Sequence, residues 1–241
     1  MNTMSASPVE AGRRAGRRIL VWDAPVRVFH WLMVLSFAGA WLTADSERFR
    51  LLHITFGYTM AGLVAFRLLW GLVGSRHARF SSFVRGPREV VAYLGSVLRG
   101  RTEQYPGHNP AGALAILALL VLAIAAAASG WATYKEMGGE WLEELHETAA
   151  SGMLVVVVLH IVAVVVTSVL QRENLVRAMV TGHKTGSPAE GIRRAWHTVA
   201  VLMFAAVLAF WWLQWHGAPG DGVAEGGQAV SREASVDEDH D

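Results

Sequence analysis

The chain has 241 residues, 53% of them hydrophobic and 17% charged, with a formal net charge of +1 and no cysteine; its mean hydropathy is +0.32. That balance is too apolar and too sparsely charged for a water-soluble domain of this length, and it predicts an integral membrane protein. The lack of cysteine excludes disulfides, thiolate metal sites, iron–sulfur clusters and covalent Cys-x-x-Cys-His haem attachment together.

Residues 1–20 form a basic segment carrying Arg13, Arg14, Arg17 and Arg18. Apolar stretches follow at 26–43, 51–74, 111–133, 147–170 and 195–215, most close to the roughly 20 residues that cross a hydrocarbon core. Five transmembrane helices are expected. The first has the shortest purely apolar run, because Arg27 and His30 lie in its opening turns. A basic stretch before an apolar core is also the pattern of a secretory signal, but no small-residue cleavage site of the expected kind follows, so it is read as a helix.

Between the second and third spans lies a basic stretch, Arg76 to Arg101, that includes PREVVAYLGSVLR. Val90, Val91, Leu94, Val97 and Leu98 repeat there at helical spacing, which predicts an amphipathic helix lying on the membrane surface, with a solvated basic loop as the alternative. The GHNPAG turn at 107–112 then opens the third span, with Asn109 as N-cap and Pro110 in the first helical turn.

Lys and Arg in short loops are retained on the cytoplasmic side. The N-terminal segment, the 76–101 loop and the loop with Arg172, Arg177, Lys184, Arg193 and Arg194 are basic, whereas the other side carries only Arg48, Arg50, Lys135 and Arg232. The N-terminus is therefore expected in the cytoplasm and the C-terminus outside. Tryptophans near the segment ends, Trp31, Trp41, Trp70, Trp131, Trp141, Trp196 and the group Trp211, Trp212 and Trp215, fit an interfacial aromatic belt.

His146 and His160 lie fourteen residues apart within the fourth span, which returns both imidazoles to nearly one helix face, about 21 Å apart along the axis. With alternating helix directions, His53 matches the depth of His146, and His30 that of His160. Two imidazoles on facing helices can ligate a porphyrin iron from opposite sides, so the pairs His53/His146 and His30/His160 predict two bis-histidine haem sites. The same separation excludes one tetrahedral zinc site. His197 and His216 flank the fifth span at the two depths and are rival ligands, while His77, His108, His183 and His240 are expected to be solvated. The competing reading makes each histidine an interfacial or hydrogen-bonded residue, but ionisable groups within spans are costly, and four at two matched depths favour a site. Gly57, Gly62, Ala149, Ala150, Ser151 and Gly152 near the histidines leave room for a flat macrocycle, or serve ordinary helix packing. Arg67 lies fourteen residues after His53. It either pairs a haem propionate through its guanidinium fork or snorkels to the membrane surface, and the same two readings apply to Arg27.

Several runs in order, WDAPVRVFHW at 22–31, LHITFGY at 52–58, FRLLWGLVGSRHARF at 66–80, GHNPAG at 107–112, LHETAA at 145–150 and RENLVRAMVTG at 172–182, resemble the prokaryotic cytochrome b561 family, which includes the b-type cytochrome subunits of nickel-iron hydrogenases. The resemblance covers about residues 20–184. It implies an all-α, integral membrane four-helix bundle with two haem b groups, exchanging electrons with the quinone pool in the bacterial inner membrane. The family's ligand pattern falls on His30, His53, His146 and His160.

The expected organisation is a basic segment at 1–20, a dihaem domain at 21–184, a linker and fifth C-terminal transmembrane helix at 185–216, and an acidic tail at 217–241. The tail, with Asp221, Glu225, Glu233, Asp237, Glu238, Asp239 and Asp241 against Arg232, reads as disordered and solvated, with steering of a basic partner as the alternative. The expected function is electron relay between quinone and a periplasmic redox partner, a c-type cytochrome or a hydrogenase-like subunit. Membrane lipid is the surrounding medium, and no nucleic-acid partner is expected. Three other classes stay open: a stand-alone quinone-linked oxidoreductase of a small substrate such as superoxide, a haem-free transporter using the histidines as a proton relay, and a membrane scaffold.

Overall fold

Asp23 begins the first span. Its Oδ1 accepts the Val26 N–H at 2.8 Å, and Pro25 in the first turn needs no amide partner. The computed structural model describes residues 17–101 and 104–217. The expectations for Arg13, Arg14, His240 and the acidic tail from residue 218 lie outside the described residues. In chain order the elements are β1 (Arg17–Leu20), α1 (Ala24–Thr43), α2 (Arg50–Val73), α3 (Pro87–Leu98), α4 (Pro110–Tyr134), α5 (Glu140–Gln171), α6 (Leu175–Thr181), β2 (His183–Gly186) and α7 (His197–His216).

Five helices among the described residues are long and apolar enough to cross a membrane: α1, α2 with its preceding turn, α4, α5 and α7. The protein is an all-α membrane helical bundle. Leu69, Leu72 and Val73 on α2 and Val155, Leu159 and Val162 on α5 are exposed, and a continuous apolar surface of this kind is stable against lipid rather than water. The Cα trace separates into two compact units whose boundary falls inside α7, after Ala205. The second comprises, among the described residues, the end of α7, where the His216 ring bonds the Trp212 carbonyl one turn back at 2.9 Å.

In the first unit, α1 packs on α2 and α4 on α5, and the extended contact joining these two hairpins is α2 against α4. Met60, Val64, Leu120, Ala123 and Met153 form the core between them, with Met33 and Phe37 of α1 and Val157 of α5 packed around it. The basic stretch after α2 contains a true helix, α3, whose Tyr93 is buried while Val91 and Leu98 are 70% and 89% exposed. This is the amphipathic alternative, packed against α4 on one side. Asn109 caps α4 as expected, accepting the Gly112 N–H at 2.7 Å.

Residues 17–20 are joined to the segment after α6: β1 pairs antiparallel with β2, Arg17 opposite Gly186 and Leu20 opposite His183. The Val21 and Trp22 N–H groups donate to the Gly182 carbonyl at 2.8 and 3.1 Å, Ala24 N–H to Ala195, and Ile192 N–H to Leu20. Gly182 has φ +82°, and a Cβ there would stand 2.7 Å from the Trp22 carbonyl oxygen, so this close approach requires glycine. Ile19, Val21, Trp22, Val26, Trp70, Ala78 and Ala178 bury a second apolar cluster beneath this knot. It closes the N-terminal end of the bundle, where α1 and α4 begin and α2 and α5 finish.

Candidate functional site

At the opposite end of the bundle, His53 near the start of α2 and His146 near the start of α5 face each other with ring centroids 6.1 Å apart and planes at 74°. Each ring is held through the same atom: Nδ1 of His53 bonds the Ala40 carbonyl at 2.9 Å and Nδ1 of His146 bonds the Ala126 carbonyl at 2.8 Å. A carbonyl accepts only, so each Nδ1 carries the proton and each Nε2 keeps its lone pair, the tautomer a metal-binding imidazole needs. An imidazole–metal–imidazole sandwich with metal–nitrogen bonds of roughly 2 Å separates the ring centroids by roughly 6 Å. The observed spacing fits an axial ligand pair.

Small residues make this approach possible. A Cβ at Gly130 on α4 would lie 2.7 Å from His146 Nδ1 and 2.8 Å from its Cε1. Glycine there is what lets the ring lie against α4 and reach the Ala126 carbonyl. At Gly57, one turn beyond His53, a Cβ would meet nothing within 4 Å, which leaves a flat group free access to the α2 backbone.

The second expected pair, His30 on α1 and His160 on α5, lies within electrostatic reach of each other. The Nδ1 of His30 is buried without a hydrogen-bond partner, and its ring meets Trp31 edge-on at 5.1 Å. Among the described residues no three His, Asp or Glu side chains converge into a group that could hold a metal ion.

Arg67 is 3% exposed, its NH1 is buried and unpartnered, and its guanidinium lies over the Phe80 and Phe83 rings at 4.9 and 5.9 Å. It does not snorkel outward. Arg27 is half committed: NH1 donates to the Val180 carbonyl at 2.8 Å, tying α1 to α6, while Nε is buried and unpartnered.

Two loop histidines depart from the solvated reading. His77 is 8% exposed and its Nε2 bonds the Glu190 carbonyl at 2.8 Å. The His108 ring packs between Trp22 and Phe83, each 4.5 Å away, with Nδ1 buried and unpartnered. Burial, with Arg67, His77, Lys184 and His160 nearby, pushes His108 down to about 3, so it is neutral. Lys184 is buried as well, donating to the Tyr105 carbonyl at 2.8 Å and pairing Glu173 at 3.6 Å. Burial lowers its ammonium from the ordinary lysine value and Glu173 pulls it back. Asp23, fully buried, receives the Trp70 indole N–H on Oδ2 at 3.0 Å. Sequence reasoning gave Asp23 and Lys184 no buried role and left His108 solvated, because all three lie outside the helices, where periodicity gives no depth. The one available signal was the Asp-Ala-Pro run, a helix-start pattern that needs a buried cap once the helix end is covered.

A model of the prokaryotic cytochrome b561 family matches residues 21–182, a span that begins at the knot and contains all four paired histidines. The chain belongs to that family. It is accordingly a multi-pass membrane b-type cytochrome, a haem b protein that carries electrons. Among curated proteins, this cytochrome is 28% identical over 213 residues to a probable Ni/Fe-hydrogenase B-type cytochrome subunit of Rhodobacter capsulatus, covering 69% of this chain and 81% of the relative. A protein of the same description from Azotobacter vinelandii is 28% identical over 211 residues, covering 68% and 87%. A probable Ni/Fe-hydrogenase 1 B-type cytochrome subunit of Escherichia coli K12 is 27% identical over 143 residues, covering 48% and 60%. No solved structure matches the chain. The family match stops at Gly182, before α7 begins.

Proposed function

We propose that this cytochrome carries two haem b groups, one between His53 and His146 and one between His30 and His160. Through them it exchanges electrons between the quinone pool and a hydrogenase-like redox subunit at the periplasmic face of the bacterial inner membrane. The observation that carries the reading is the His53/His146 pair, 6.1 Å apart, each ring anchored through Nδ1 to a backbone carbonyl. Haem b supplies a one-electron couple whose potential follows from its axial ligands, burial and nearby charge.

The chain's own part is to fix the rings and compensate charge. The Ala40 and Ala126 carbonyls hold the tautomer and raise the basicity of the free nitrogens. Arg67 and Arg27 each keep a buried unpartnered N–H, which suits haem carboxylates better than water-exposed lysines would. The names of the relatives support a hydrogenase partner. The arginine excess at the N-terminal end supports a cytoplasmic N-terminus, which puts His53 and His146 near the periplasm.

Haem stoichiometry on the purified full chain tests the reading. Two haems per chain are expected, falling to one in both His146→Ala and His160→Ala; two haems retained in either variant overturns the assignment. A quinol analogue should reduce both centres, and a hydrogenase subunit pair should change the rate; reduction by quinol with no response to any redox protein favours a stand-alone oxidoreductase instead. Because the chain has no cysteine, a cysteine placed at Ser187 or at Met137 reports sidedness directly. Labelling of Met137→Cys from the periplasm and of Ser187→Cys from the cytoplasm is expected.

A further inference from the structure

The N-terminal end holds a feature that ligand pairing leaves unexplained. Arg67 is a buried cation that makes no ion pair among the described residues. Asp23 interacts with it only at a distance, its two oxygens being taken by the Val26 and Trp70 N–H groups. A buried guanidinium with an unpaired N–H is costly, and proteins retain one where an anion completes it. His108 is its neighbour: both side chains flank the Phe83 ring, and each leaves one buried nitrogen without an acceptor. His108 also lies within electrostatic reach of His160.

We propose that Arg67 and His108 form a two-pronged carboxylate clamp that holds one propionate of the haem carried by His30 and His160. This rests on the dihaem reading above. Arg67 supplies charge and a hydrogen bond from NH1, and His108 a second hydrogen bond from its Nδ1–H. Neutrality of His108 suits this role, because a second cation beside Arg67 would be repelled, whereas a neutral imidazole donates at no electrostatic cost. Trp22, Phe80 and Phe83 cover the pair, which keeps water from competing for the carboxylate. A quinone carbonyl is a weaker fit, since it brings no charge to offset Arg67. Among the described residues, a surface cleft lined by Pro87, Arg88, Val91 and Ala92 and another lined by residues such as Val165, Arg172 and Asn174 include neither Arg67 nor His108.

The experiment is a potentiometric titration of the full-length holoprotein, read beside the infrared redox difference spectrum with haem labelled by carbon-13 at its propionates. In Arg67→Gln and in His108→Gln, two haems should remain, one midpoint potential should fall and the other should stay. The labelled carboxylate band should shift in both, and Arg67→Lys should recover part of the potential. If Arg67→Gln does not fold, His108→Gln and Arg67→Lys carry the same readings. Unchanged potentials with an unmoved band overturn the clamp, and so does an effect confined to the quinol KM, which would mark a quinone site. A wild-type protein with fewer than two haems overturns the dihaem reading first, and the clamp with it.

Discussion

The two histidine pairs sit in different chemical settings. At the His53/His146 end the rings are fixed by carbonyls of neighbouring helices, and close helix approach at Gly130 does the positioning. On the side of His30 and His160 lie buried Asp23, Arg67, His77 and Lys184, beside the ring-packed His108 and the β1–β2 pair. One end is built by backbone geometry and the other by buried charge. The first should therefore be sensitive to side-chain volume, the second to charge and pH.

The largest expected effect comes from Asp23→Ala. It strips the α1 cap, leaves the Trp70 indole N–H without an acceptor and removes a carboxylate that acts on Arg67 at a distance; a buried donor left unsatisfied costs about 1–3 kcal/mol beyond the cap. Thermal unfolding in detergent, followed by helical circular dichroism, should show it, and a loss confined to the capping value of about 1 kcal/mol would mean that the cap, not the Trp70 bond, matters.

Gly130→Val comes next. Its side chain would displace the His146 ring, so under the dihaem proposal one haem should be lost while the other centre keeps its spectrum, with overpacking costing about 1–3 kcal/mol. If instead both centres weaken equally, the two ends are not independent.

A third effect is graded with pH. Folded His108 takes a proton only near 3, against 6.5 for an ordinary histidine, in a field set by Arg67, His77, Lys184 and His160. The unfolded chain therefore binds a proton that the folded chain refuses between those values, and stability is lost as pH falls from 6.5 toward 3. Denaturation midpoints across that window should flatten in His108→Gln; an unchanged slope would assign the acid loss to another group.

The smallest change is expected from Arg85→Ala. Its pairing at 3.7 Å with Glu89 in the first turn of α3, both side chains exposed, is worth at most about 1 kcal/mol, so melting should barely move. A large loss would show that α3 stabilises the N-terminal end through its charges rather than through Tyr93.

Much of this was legible in the residues. The five spans fall within a few residues of the apolar stretches, Asn109 caps α4 where the turn pattern put it, and Val91 and Leu98 mark the outer face of α3 as their spacing predicted. Helix direction and depth put His53 level with His146, and their ring centroids lie 6.1 Å apart. The knot was not legible. Four residues of β1 are too few to show a two-residue period, and their partner strand lies far along the chain. His77 and His108 depart from the solvated expectation for a related reason: a loop residue is solvated only if nothing folds over it, and here Glu190, after α5, covers His77 while Trp22 and Phe83 pack on His108.

The sequence alone determined the medium and the spans, because hydropathy and helix rise are local quantities that add along the chain. Only the tertiary structure decided which nitrogen each ring keeps free and which loop side chains are buried. Those depend on carbonyls and aromatic rings brought close by contacts between segments distant in the chain, and no local pattern encodes such distances.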